Sequence, residues 1–520
     1  MIKTTMVRFS ASDLSKLVRA ETVDSRPKTE DSAKQGSGAA PDQAMSYPPT
    51  AEAFSRVVLE GLMRAAEFGI VAITGFAVYV ALVVRLRGFE WPPLILIPLM
   101  AAGIVLILQA LGLYRLAAFR KFPMGSLRLI AGFAAAYLIA LGASFILKLD
   151  QNVMQLFLLA WFAVGLTVML GARILFAVVV DRLVRAGRLT RRTVLVGGGP
   201  SANELLQQFA DLPQSDLQIL GIFDDRADER SPAVVGGFRK LGTVDDLIEF
   251  SRRTRVDLVI FALPITAEQR ILQMLRKLWV LPIDIRLAAH MSKLHFHPRS
   301  YSYIGTVPLI DIVERPLADW DHVLKLCVDK IIGSLCLLFL SPVMLAVAIA
   351  VKLGSKGPIL FKQKRYGFNN ELIEIYKFRS MYADKPDYAA AKLVTRGDPR
   401  VTPVGRFIRK ASLDELPQLF NVVFKGNLSL VGPRPHAVQA KAAERLYDEV
   451  VDGYFARHRV RPGLTGWAQI HGWRGETDTP EKIQHRVEHD LHYIENWSLS
   501  LDLYILAATP FALLKTTNAY

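Results

Sequence analysis

The chain has 520 residues, 51% hydrophobic and 21% charged, and its 63 basic and 48 acidic side chains leave a formal charge of +15. That balance excludes a disordered, collagen-like or small disulfide-stapled protein, and a mean hydropathy of +0.26 at this length points to membrane segments. The two cysteines, Cys327 and Cys336, share one apolar stretch, so there is no disulfide framework and a reducing compartment fits.

Residues 1–50 are polar and rich in Ser, Ala, Asp and Pro, which predicts a disordered tail. No apolar core follows a basic start, so they do not read as a secretory signal. Four apolar runs follow, near 66–84, 93–114, 129–147 and 153–180. Each approaches or exceeds the roughly 20 residues that cross a bilayer as a helix, giving a four-helix unit over 51–190. Arg56 and Arg64 precede the first run, Arg115, Arg120, Lys121 and Arg128 join the second to the third, and five arginines follow the fourth between Arg182 and Arg192. The opposite side holds only Arg85, Arg87 and Lys148. The excess of basic residues places both ends of the unit in the cytoplasm.

Residues 191–312 read as an α/β domain. Val194–Val196 is a short buried-strand run, the turn Gly197-Gly-Gly199-Pro-Ser-Ala202 opens a helix through Phe209, and further strands are expected at 218–223, 256–262 and 283–287. Gly197, Gly199 and Ala202, with Asp224 or Asp225 ending the second strand, match the spacing of a dinucleotide site. Backbone N–H groups at such a helix start can face a pyrophosphate. A Rossmann-like domain that binds no nucleotide fits the same spacing, because fold does not settle function.

Ile331–Val351 is uncharged for 21 residues, long enough to span a membrane. Lys325 and Lys330 precede it, and Lys352, Lys356, Lys362, Lys364 and Arg365 follow it, so both flanks ask for the cytoplasm. Ser341-Pro342 stands at its middle, where proline removes a helical hydrogen bond. A helix-break-helix over 323–353 that returns to the same face resolves the conflict, provided that the freed carbonyl finds a partner such as the Ser341 hydroxyl. An ordinary kinked spanning helix is the alternative.

The densest polar pattern lies in residues 357–435. Phe361-Lys-Gln-Lys-Arg365-Tyr-Gly367 leads to Tyr376-Lys377-Phe378-Arg379, then to Arg406, Arg409, Lys410 and Ser412-Leu-Asp414-Glu415-Leu-Pro-Gln418, and closes with Gly432-Pro-Arg434-Pro435. Ser412-x-x-Glu415 fits a capping box, in which both acids merely complement a helix start. Two acids among many cations also suit phosphoryl transfer: carboxylates hold a divalent ion or attack phosphorus, and Arg and Lys neutralise phosphate oxygens.

These strings, with Arg461-Pro-Gly-Leu-Thr-Gly-Trp-Ala-Gln469, resemble those of the polyprenyl-phosphate hexose-1-phosphate transferases, bacterial enzymes that start exopolysaccharide and capsule assembly. The match covers about 320–520, and the preceding helices and α/β domain look like the large form of that family. The implied fold is an α-helical membrane bundle, an α/β Rossmann-like domain and a mainly helical, monotopic phosphoglycosyl transferase domain over 318–520, with a re-entrant membrane helix broken at Ser341-Pro342. The resemblance implies that Asp414 attacks the sugar-bearing phosphate of a UDP-sugar, releasing UMP, and that undecaprenyl phosphate then takes the phosphosugar. Asp414 and Glu415 would hold Mg²⁺; Arg434, Arg409, Lys377, Arg379 and Arg365 would bind phosphates. The stretch His471-Gly-Trp-Arg474-Gly-Glu-Thr-Asp478 resembles that of glucose-transferring members, so UDP-glucose is expected before UDP-galactose. The implied location is the bacterial inner membrane, with the catalytic domain on its cytoplasmic face.

Trp497 and the apolar run 499–514, interrupted by Asp502 and Pro510, fit an interfacial helix or core packing equally. No nucleic-acid-binding motif is present, and a homo-oligomer is left open. Tyr388-x-x-x-Lys392 has the spacing of an NAD-dependent nucleotide-sugar dehydratase or epimerase, but it lies across a membrane segment from the glycine turn and cannot share its α/β unit. A non-enzymatic nucleotide-sensing scaffold would treat 357–435 as an anionic-lipid patch.

Overall fold

The computed structural model describes residues 54–114, 116–120, 122–146, 151–211, 217–226, 231–264, 267–288, 302–304, 307–382, 398–436, 441–442, 445–446, 451, 454–473 and 479–515. The expected tail and the Tyr388–Lys392 pair lie outside them. Thr50–Thr190 forms one compact unit, and the chain from Arg191 onward forms another.

The first unit contains four long apolar helices, α1 (Arg56–Arg87), α2 (Trp91–Ala110), α3 (Phe122–Ile146) and α4 (Gln151–Arg185). All four are long and apolar enough to cross a membrane. The Ser55 hydroxyl caps α1 by accepting from the Val58 N–H. Helices α1 and α4 cross where Gly75 leaves room for Trp161: a Cβ at Gly75 would stand 2.6 Å from the indole, whose Nε1–H donates to the Val71 carbonyl. Two charges inside apolar runs find each other there. Fully buried Glu67 forms an ion pair with Arg173, Nε to Oε1 at 2.6 Å, and its Oε2 accepts from Arg173 Nη2 at 2.9 Å and from the Tyr114 hydroxyl at 2.6 Å, so the charges are paired inside the bundle.

In the second unit, β1 (Arg191–Val196), β2 (Leu217–Phe223), β3 (Val234–Val235), β4 (Phe238–Gly242), β5 (Leu258–Phe261), β6 (Asp284–Ala288), β7 (Ser302–Ile304) and β8 (Val307–Val313) build a mixed sheet ordered β3-β4-β2-β1-β5-β6-β8-β7. The central strands β2, β1, β5 and β6 are parallel. Residues 192–196 of β1 and all of β5 are buried, as near-continuous apolar strands covered on both faces should be. Helices α5 (Pro200–Ala210), α6 (Val244–Arg253) and α7 (Glu268–Leu278) supply the covering layers. This is the α/β domain expected, with β3, β4, β7 and β8 added by the structure.

Helix α8 (Asp319–Gly354) runs for 36 residues with Pro342 inside it. The expected break is absent as an interruption of the helix, and the local chemistry explains why. Pro342 has no N–H for the Leu338 carbonyl four residues back, and the Ser341 hydroxyl donates to that carbonyl instead, at 2.7 Å. The flanking lysines also correct the charge argument. Lys325 is buried, paired with Asp502 at 2.7 Å and donating to the Val431 carbonyl, and Lys330 donates to the Val422 and Val423 carbonyls. Neither is a freely solvated flank. At the other end of α8, Val351 packs with Phe378 and Ile408, and Gly354 lies against Val404. Both ends of this apolar helix therefore rest on one polypeptide body, residues 378–431.

The C-terminal region of the chain contains the hairpin β9 (Leu360–Tyr366) and β10 (Leu372–Phe378), helix α9 (Pro403–Lys410), and the parallel pair β11 (Ser429–Val431) and β12 (Gly463–Thr465). Helices α10 (Pro480–Glu495) and α11 (Leu499–Lys515) close it. Trp279, at the end of α7, is buried among Ile373, Ile375 and Leu419, so the α/β domain and the C-terminal region share core. Phe339 and Leu353 on α8, Phe407 on α9, Phe424 in the helical segment Asn421–Lys425 and Phe511 on α11 are large apolar side chains left exposed.

Candidate active site

The site begins at the end of α9. Thr402 caps this helix by accepting from Gly405 N–H, and Gly405 is obligatory because a Cβ there would stand 1.9 Å from the Ser380 carbonyl. The helix stops at Ser412, whose φ of +57° turns the chain into the tight helical turn Leu413–Glu415. The Ser412 hydroxyl does not cap that turn, so the capping-box reading is set aside. Glu415 instead accepts from Lys377 Nζ at 2.9 Å and from Arg434 Nη2 at 2.6 Å and Nη1 at 3.3 Å. Among the described residues, no hydrogen bond engages the Asp414 carboxylate, which is 8% exposed.

Electrostatics separate the two acids. Burial pushes the Asp414 pKa up, against the pull of Lys377, and the neighbouring Glu415 charge pushes the same way. At Glu415 burial is outweighed by Arg434 and Lys377, which hold it well below the usual carboxylate range. Glu415 is thus a fixed anion, and Asp414 is a carboxyl with its oxygens available. Arg409, half-buried at the end of α9, adds positive potential at Asp414.

Two sets of contacts bring these groups together. Lys377 reaches the turn because buried Asn421 latches β10, accepting from the Tyr376 N–H and donating to the Glu374 carbonyl. Arg434 follows β11, where backbone meets backbone: a Cβ on Gly463 would lie 2.1 Å from Gly432 N, and one on Gly466 2.3 Å from Gly432 O. Arg365 donates to Gln363 at 2.7 Å and approaches the Pro435 carbonyl at 3.5 Å, beside the loop rather than on the acids. Arg379 is corrected. It is buried, and its guanidinium donates to the Lys356, Ser355 and Val351 carbonyls, so it holds the C-terminus of α8 and not a phosphate.

Sequence reasoning missed a buried group behind Arg434. Arg457 is fully buried, and its Nη2 donates to Asp490 at 2.6 Å and to the Arg434 carbonyl at 2.7 Å. Its Nη1 lies 2.5 Å from His436 Nδ1. Burial and the nearby arginines hold the His436 pKa well below its ordinary value, so this imidazole is neutral. Only the run of basic residues Arg457-His-Arg459 hinted at this.

The glycine turn of the α/β domain is also corrected. Gly197 takes φ +106° and Gly199 precedes α5, as the spacing requires. Asp224, however, accepts the Gly198 N–H at 2.8 Å, and its two oxygens receive Arg226 Nε at 3.1 Å and Nη2 at 2.7 Å. Burial pushes the Asp224 pKa up, but the bonds from Arg226 and Gly198 prevail and bring it down to about 2. A fixed carboxylate on the turn does not fit a bound diphosphate, and it is not available to a ribose.

Comparison with known proteins adds the following. A family model described as bacterial sugar transferase matches residues 320–516, and one described as CoA-binding domain matches 109–289. An undecaprenyl-phosphate glucose phosphotransferase of Komagataeibacter xylinus is 40% identical over 64% of this chain and 61% of its own length. A UDP-glucose:undecaprenyl-phosphate glucose-1-phosphate transferase of Klebsiella pneumoniae is 38% identical over 65% of this chain and 70% of its own. A UDP-N-acetylgalactosamine-undecaprenyl-phosphate N-acetylgalactosaminephosphotransferase of Aeromonas hydrophila is 38% identical over 42% of this chain and 52% of its own.

Proposed function

The chain belongs to the bacterial sugar transferase family of polyprenyl-phosphate hexose-1-phosphate transferases, and from that premise we propose that it moves glucose 1-phosphate from UDP-glucose to undecaprenyl phosphate. One observation carries the chemistry: of two adjacent buried acids, Glu415 is clamped by Lys377 and Arg434 while Asp414 keeps its carboxylate disengaged. An Asp414 oxygen attacks the sugar-bearing phosphorus, the bond from that phosphorus to the bridging oxygen breaks, and UMP leaves with the bridging oxygen. A phosphate oxygen of the lipid then attacks the same phosphorus and displaces Asp414. Lys377, Arg434 and Arg409 offset the charge on the phosphoryl oxygens.

Mg²⁺ fits here in the form it commonly takes at phosphate sites, with one or two protein carboxylates, waters and the substrate's own oxygens. Asp414, whose carboxylate accepts no hydrogen bond among the described residues, would hold it, with Glu415 as the second carboxylate. The ion would neutralise the diphosphate as UMP departs. The lipid phosphate lies at a bilayer surface, and the exposed apolar residues of α8, α9 and α11 support placing this site at one; the cytoplasmic face of the inner membrane is proposed because the nucleotide donor arrives from the cytoplasm. The product is a starting unit for exopolysaccharide or capsule.

The test is direct. Purified protein with UDP-glucose, Mg²⁺ and undecaprenyl phosphate should release UMP, and Asp414→Asn should lower that rate at least about a thousandfold, as expected for loss of a nucleophile. Release of UDP, or an Asp414→Asn rate near wild type, contradicts the reading. A panel of UDP-sugars in the same assay decides between glucose and galactose.

A further inference from the structure

We propose that Arg457 is a positioning residue for Arg434, setting where its guanidinium meets Glu415 by holding its main chain; the kinetic part of this rests on the reaction proposed above. The argument starts from the planar fork of Arg457. One nitrogen, Nη2, sits between two acceptors, Asp490 Oδ2 at 2.6 Å and the Arg434 carbonyl at 2.7 Å. Asp490 is itself 2% exposed and stands on α10, whose Ile483, Val487 and Ile494 are core residues. The carbonyl of Arg434 is thereby referenced to a rigid helix. On the other side, the loop is referenced to β12 through Gly432 N–H to the Thr465 carbonyl at 2.9 Å and Gly463 N–H to the Pro433 carbonyl at 3.0 Å. Held from both sides, Arg434 presents two nitrogens to the Glu415 carboxylate.

Pairing alone does not explain an arginine here. A buried ion pair replaced by well-packed apolar groups is often neutral for stability, and charge balance against Asp490 needs only one cation. What a lysine lacks is the second donor in a fixed plane. Neutral His436, two residues beyond Arg434, takes the other nitrogen at 2.5 Å and fastens the same loop.

The experiment uses the full-length protein in lipid nanodiscs. Arg457→Lys keeps the charge facing Asp490, so its melting midpoint should stay close to wild type. Its kcat for UMP release should fall about ten- to a hundredfold with the KM for UDP-glucose little changed, because a group misplaced by about 1 Å costs the transition state. A double-mutant cycle separates positioning from simple structural support: in an Arg434→Lys background, Arg457→Lys should cost far less than it does in wild type. Equal fold losses in both backgrounds overturn the proposal. Hydrogen exchange reads the loop without any turnover. Faster exchange of residues 430–436 in Arg457→Lys, with 403–425 unchanged, supports positioning; unchanged exchange at 430–436 overturns it. If wild-type protein releases no UMP from any UDP-sugar, the reaction reading fails alone and the exchange result decides this proposal.

Discussion

At Asp414, burial and the adjacent Glu415 charge oppose ionisation, while Lys377, Arg409 and Arg434 favour it, and the balance leaves the pKa above that of an ordinary aspartate. Attack on phosphorus requires the anion. Activity should therefore fall on the acid side as Asp414 takes up its proton, with a limb above the usual aspartate value of about 4. Lys377 is the strongest opposing influence, so Lys377→Met should carry the limb of kcat against pH to higher pH; a limb that stays in place or moves down contradicts this assignment. The motifs made Asp414, Glu415, Lys377 and Arg434 legible as a group, and the structure joins the last three by hydrogen bonds although they are far apart in sequence. Arg379 and Asp224 were misread for one reason. A cation that binds carbonyls and a cation that binds phosphate look alike in sequence, as do a carboxylate facing ribose and one facing its own loop. Arg457, His436 and Asp490 were invisible because only tertiary contact supplies a buried charge with its partner.

The membrane helices were legible from run length, and their edges extend into polar flanks because helix hydrogen bonds continue past the apolar core. Glu67 and Arg173 passed unread inside such runs: hydropathy tolerates one charge, and nothing local reveals that two from different helices meet. The glycines of residues 432–466 were read as motif letters, whereas their function is close backbone approach. In α8 the Ser341 hydroxyl replaces the donor that Pro342 lacks, and both ends of the helix pack on residues 378–431. We propose that both ends of α8 lie on one face of the membrane, and cysteine labelling tests it. With Cys327 and Cys336 replaced by serine, single cysteines at Asp321 and Lys356 should both react with an impermeant reagent only from the cytoplasmic side. Labelling of the Lys356 position from outside alone would make α8 a spanning helix.

Over the whole molecule, composition separated an α/β domain from the region after 318, yet the chain from Arg191 onward forms one compact unit. Trp279 enters the C-terminal core, Asn369 in the β9–β10 turn donates to the Ser251 carbonyl, and Arg459 donates to the Glu314 carbonyl. Such contacts join residues more than a hundred positions apart in two of these cases, beyond the reach of any local pattern. The account as a whole rests on a covalent stage, and mass spectrometry of protein incubated with UDP-glucose in the absence of polyprenyl phosphate tests it most directly. A phosphohexose on the peptide containing Asp414, formed together with a burst of UMP equal to the enzyme present, is the predicted result. Enzyme that turns over fully with acceptor, yet shows neither adduct nor burst without it, would contradict the account.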